Sequence, residues 1–109
     1  MQFKEILDAL ANIDHLEAIE IYEGNDLKAR IENKPGSAGS VKVYNALFQE
    51  FGEINAAAAN KGLQIYAEHT ADAIEFPGKH PNIDRLFALT QNHSPDEVKL
   101  SYTVKLIQK

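Results

Sequence analysis

The chain has no cysteine among its 109 residues, which excludes a disulfide scaffold, an iron–sulfur site, a zinc ribbon and a thiol nucleophile. No hydrophobic run approaches the roughly 20 residues that a membrane-spanning helix needs. The opening stretch Met1-Gln2-Phe3-Lys4-Glu5-Ile6-Leu7-Asp8 interrupts every apolar pair with a charge, so it does not read as a secretory signal. Cytoplasmic residence with no membrane partner is the expectation. A dense basic run is missing as well. Nucleic-acid binding without sequence preference requires several phosphates to be neutralised together, so no nucleic-acid partner is expected.

What is present is ordinary globular material, 44% hydrophobic and 25% charged. The length suits one domain over residues 1–109, able to bury most of its apolar surface without a staple. The net charge of −5 is unevenly spread. Residues 1–27 carry seven acids against Lys4, whereas residues 28–44 carry Lys28, Arg30, Lys34 and Lys42 against Glu32.

Phe3, Ile6, Leu7 and Leu10 fall at helical spacing. Leu16 to Tyr22 and Leu27 to Glu32, separated by Glu23-Gly24-Asn25-Asp26, predict a β-hairpin. The loop from Asn33 to Ser40 leads into a helix marked by Val41, Tyr44, Leu47, Phe48 and Phe51 and stopped by Gly52. Ser37 and Ser40 are both candidate N-caps. An alanine-rich helix around Ile54 to Lys61 is expected to stop at Gly62, its small face allowing close approach of another backbone. Leu63 to Glu68 alternates, placing Leu63, Ile65 and Ala67 inward and Gln64, Tyr66 and Glu68 outward on a third strand. One helical turn near His69, a Pro77-Gly78 turn and a helix from Pro81 follow. Val98 to Leu106 then alternates as a last strand.

The expected fold is therefore α+β, a two-layer sandwich with a four-stranded mixed sheet and helices packed on one face, in the order α-β-β-α-α-β-α-β. The outward sheet face would carry Lys28, Arg30, Glu32, Gln64, Tyr66, Glu68, Lys99, Ser101, Thr103 and Lys105, with too few aromatics to stack nucleic-acid bases. A final strand lying at an edge invites a second copy, so a homodimer is a partner state that the pattern permits.

Two segments carry candidate chemistry. In Lys34-Pro35-Gly36-Ser37-Ala38-Gly39-Ser40, glycines let backbone amides turn toward one space, and the following helix start adds partial positive charge. No lysine follows Gly39, so the phosphate-loop pattern is not met, and a tight capped turn would use the same glycines. The second segment runs from Glu68 through His69, Thr70, Asp72, Gly78, Lys79, His80, Pro81 and Asp84 to Arg85. Its histidines and carboxylates match no ligand spacing, so no metal and no cofactor are expected. No nucleophile-elbow context surrounds Ser37 or Ser40. If the second and third strands run parallel, both loops leave the same sheet edge. Lys34, Gly36, Ser37, Gly39, Ser40, His69, Lys79, His80 and Arg85 would then gather around one phosphate or carboxylate.

The runs Arg30-Ile31-Glu32-Asn33-Lys34-Pro35-Gly36-Ser37-Ala38-Gly39-Ser40, Tyr66-Ala67-Glu68-His69-Thr70-Ala71-Asp72-Ala73 and Gly78-Lys79-His80-Pro81-Asn82-Ile83-Asp84-Arg85-Leu86 resemble a small bacterial family of uncharacterised proteins of about this length. The resemblance covers nearly the whole chain. It implies a bacterial, intracellular protein and transfers no catalytic residue. The leading expectation is a binding or interaction module with a small anionic ligand. The alternative is a small enzyme in which His69 or His80, partnered by Asp72 or Asp84, moves a proton on an anionic substrate.

Overall fold

The structure, a computed structural model, describes residues 2–90 and 101–109. Its elements are α1 (Phe3–Ala9), β1 (Leu16–Glu23), β2 (Asp26–Glu32), α2 (Ala38–Phe51), α3 (Ala56–Ile65), α4 (Glu68–Glu75), α5 (Pro81–Thr90) and β3 (Thr103–Gln108). The class is α+β. The sheet, however, has three strands in the order β2-β1-β3, and both pairings are antiparallel. The expected four-stranded mixed sheet is thus overturned, and so is the element order, because Leu63–Glu68 is not a strand.

The reason lies at Gly62. Buried Ala58, Ala59, Gly62 and Ile65 form one continuous helical stripe on α3, a period that the short alternation from Leu63 onward disguises. Gly62 does not end the helix. A Cβ built there would meet Leu86 Cδ1 at 2.7 Å and Leu47 Cδ1 at 2.9 Å, so glycine allows α3 to settle against α5 and α2. The Asn55 side chain opens α3 by accepting the Ala58 N–H at 2.8 Å.

The hairpin forms where its turn chemistry places it, with Gly24 at φ +60° and Glu23 paired to Asp26. A bulge at Ile21/Tyr22 shifts the register so that Tyr22 pairs with Leu27, while Ile21 pairs with Ala29. Residues directly opposite share a face. Leu27 therefore joins Tyr22 on the polar face and stands exposed. That face is a charged lattice. Arg30 contacts Glu20 at 2.9 Å and Glu32 at 2.7 Å, and the Tyr22 hydroxyl donates to Glu20. Gln64, Tyr66 and Glu68, expected on this face, belong to the helical layer, and Tyr66 is buried. Val98, Lys99 and Leu100 lie outside the described residues.

The opposite face carries Ile19, Ile21 and Ile31 into a core shared with Val41, Tyr44 and Leu47 of α2, Ile65 of α3, and Ile83, Leu86 and Leu89 of α5. Gly52 closes α2 in the left-handed region, its N–H donating to Phe48 O. Among the described residues, no helix is long and apolar enough to cross a membrane.

Candidate functional site

The β2–α2 connection is tied down before it reaches the site. The Asn33 side chain donates to the carbonyls of Ile13 and Leu16, at 3.1 and 2.8 Å. The Lys34 carbonyl accepts from the amides of Ser37 and Ala38. Ser37 takes the N-cap position of α2, but its hydroxyl does not cap the helix. It donates instead to Glu32 O at 2.6 Å. Gly36, at φ +95°, turns the chain so that Gly39 and Ser40 enter the first turn of α2 beside Phe3 of α1.

The α3–α4 junction brings the second wall. Ala67 sits at φ +52°, ψ −119° between the two helices, a conformation that costs a residue with a Cβ about 1–3 kcal/mol. Two hydrogen bonds hold the bend. The Thr70 hydroxyl donates to Leu63 O at 2.6 Å and the His69 N–H to Tyr66 O at 3.0 Å. Tyr66 at the end of α3 and His69 in the first turn of α4 thereby reach the same space. The third wall follows the Pro77-Gly78 turn, in which Gly78 has φ +92° and donates its N–H to Asp84 Oδ2. It delivers Lys79, His80 and the first turn of α5.

The result is a cleft of about 360 Å³ lined by residues of all three walls. Of the nine residues singled out from the sequence, Gly36, Gly39, Ser40, His69, Lys79 and His80 line it; Lys34, Ser37 and Arg85 do not. Lys34 is exposed and acts through its carbonyl. Arg85 stands behind the wall, where its guanidinium donates to the Tyr44 hydroxyl at 3.1 Å and to Asn82 Oδ1 at 2.9 Å. The candidate set drawn from the sequence lacked Phe3, Tyr66, Pro81, Asn82 and Ile83. A helical reading of residues 56–65 would have moved Tyr66 off the sheet. Nothing in the sequence reveals that α1 docks here.

Three helices of eight residues or more contribute their first turns to the lining: α2 through Gly39 and Ser40, α4 through His69, and α5 through Pro81, Asn82 and Ile83. The amides of Ala38, Ser40, His69, Thr70 and Ile83 already donate to the carbonyls of Lys34, Ser37, Tyr66, Ala67 and His80, so what these turns offer an anion is the partial positive charge of the helix starts. The cleft lining includes Lys79 and two histidines and, among the described residues, no carboxylate. The acids of these first turns are engaged elsewhere. Glu68 accepts the Phe3 N–H at 2.8 Å, which holds its carboxyl below the ordinary range, and Asp84 accepts from Gly78.

One carboxylate stands immediately outside. Asp72 Oδ2 contacts His80 Nε2 at 2.5 Å and Lys79 Nζ at 3.1 Å. The hydrogen bond to His80, and then that to Lys79, hold the Asp72 carboxyl below its usual value. An ionised carboxylate only accepts hydrogen bonds, so His80 Nε2 carries the proton between them. Beneath the cleft, the Tyr66 hydroxyl donates to Ser40 Oγ at 2.8 Å and the Tyr44 hydroxyl to Asn82 O at 2.6 Å. Burial raises both phenols, pushing Tyr44 up to about 12. At neutral pH both therefore serve as neutral donors. Among the described residues, no group of three or more His, Asp or Glu side chains is placed to hold a metal ion.

Comparison with known proteins supplies one relationship. The chain belongs to a family described as uncharacterized proteins conserved in bacteria (DUF2322), whose model matches residues 3–100. No curated protein and no solved structure matches it.

Proposed function

We propose that this member of the bacterial family binds a small anionic molecule, through a phosphate or carboxylate group, in the cleft between α2, α4 and α5. The observation that carries the reading is the meeting of three helix starts around a lining that holds Lys79, His69 and His80 and no described carboxylate. Each helix start favours an anion modestly, by about 0.3–1 kcal/mol. Their value here comes from sharing one space with a lysine. Asp72 offsets part of the charge of Lys79, which favours a small anion over a polyanion. A ligand that prefers the native state raises the melting temperature with concentration. Inorganic phosphate should therefore give a saturable rise, weakened by Lys79→Ala. No saturable rise with phosphate, sulfate or acetate would dispose of the reading.

A second reading has its own support in the Asp72–His80 contact. A carboxylate that fixes the proton on Nε2 leaves the Nδ1 lone pair as a base for a bound molecule. His80 would then transfer a proton and Asp72 would orient it. The variant His80→Gln separates the two readings in a metabolite turnover screen. A protein that loses turnover yet still binds phosphate supports catalysis; equal behaviour of wild type and variant leaves binding alone.

A further inference from the structure

We infer that the anion bound in this cleft carries a flat unsaturated ring, and that Phe3 is the residue that recognises the ring. The inference rests on the anion-binding reading and adds the body of the ligand to its head. The cleft, about 360 Å³, falls within the size range of sites that enclose whole small organic molecules and far exceeds the needs of a lone phosphate. The anion-favouring groups occupy only part of its wall.

Another part of the wall is aromatic. Phe3 stacks on Tyr66 with ring centroids 5.2 Å apart and planes 27° from parallel. His69 meets Phe3 edge-on at 5.0 Å and 88°, and the His80 ring lies 5.8 Å from that of His69. Tyr66 is 3% exposed, while Phe3 is only half-buried. Phe3 is thus the open layer of a two-ring stack that borders the cleft. A third ring could extend that stack in an offset or edge-on arrangement.

Two contacts place the aromatic wall next to the polar one. A Cβ built on Gly39 would stand 3.6 Å from Phe3 Cε2 and Cζ, so the Phe3 ring abuts the first turn of α2. The Tyr66 hydroxyl, at the base of the stack, donates to Ser40 Oγ in that same turn. A ligand whose ring rests on Phe3 would direct its substituent toward the first turn of α2, in the cleft that Lys79 also lines. That geometry selects an aryl phosphate or an aromatic carboxylate over an aliphatic anion of equal charge.

The test compares methyl phosphate with phenyl phosphate by calorimetric titration of the full chain. Phenyl phosphate should bind at least about tenfold more tightly, the gain expected from burying a ring against an aromatic partner. Phe3→Leu should cut that gain sharply, whereas Phe3→Tyr should keep it. Should Phe3→Leu unfold the protein, the wild type still decides the matter. Phenyl phosphate, and not methyl phosphate, should shift the Phe3 and His69 ring protons upfield in nuclear magnetic resonance spectra. Equal affinities for the two phosphates overturn the aromatic assignment while the anion reading stands. Failure of both to bind overturns both.

Discussion

Gly62 of α3 and Leu86 of α5 approach so closely that a methyl group on the glycine would lie 2.7 Å from Leu86 Cδ1. Leu47 closes the other side at 2.9 Å, and both leucines are fully buried, so neither can swing into solvent. Gly62→Ala gains about 1 kcal/mol of helix propensity but overpacks a closed site at about 1–3 kcal/mol. The expected outcome is a net loss of about 1 kcal/mol in urea unfolding. Leu86→Val in the same chain should recover part of the overpacking cost. A Gly62→Ala protein as stable as wild type would show that the leucines yield.

The bend at Ala67 predicts the opposite sign. Its φ of +52° burdens a residue with a Cβ, and glycine removes that burden at a smaller cost in unfolded-chain entropy. Ala67→Gly should stabilise the protein by about 1 kcal/mol, raising the melting temperature by roughly 5 °C. A lower melting temperature would mean that the alanine methyl contributes more through packing than its backbone conformation costs.

These two residues also mark where the sequence could and could not be read. Turn chemistry made the hairpin legible at Gly24-Asn25, the end of α2 legible at Gly52 and the start of α5 legible at Pro81, because each depends on its immediate neighbours. Gly62 misled because its purpose is contact with Leu47 and Leu86, residues distant in the chain, and a glycine followed by six alternating residues imitates a helix stop and a strand. The cleft shows the same division. Gly36, Gly39, Ser40, His69, Lys79 and His80 share it, yet not through parallel strands, as the sequence suggested. The α3–α4 bend and the Pro77-Gly78 turn bring them together. Ser37 fell away because its hydroxyl is committed to Glu32 O, a choice made by the loop geometry and not by residue type.

Asp72 gives a pH prediction. Its carboxyl is lowered on folding by His80 and Lys79, so its contribution to stability is complete above the unfolded value of about 3.9 and fades as pH falls through the folded value. The gap in urea midpoint between wild type and Asp72→Asn should be widest near about pH 6 and shrink toward about pH 3. Glu20, Glu32 and Glu68, also lowered, titrate in both proteins and drop out of the comparison. A gap unchanged across this range would remove Asp72 from the acid response.

The strand order β2-β1-β3 also bears on how the chain reaches its native state. β1 meets β2 across a two-residue turn, but it meets β3 only by joining Leu16 to Gln108 and Ile19 to Leu106. Closing so large a loop is entropically slow when nothing else holds its ends together. Helices docked on the hairpin shorten the effective distance, so β3 is the natural last arrival. Its amides then acquire protection from deuterium later than those shared by Ile19 and Ile31.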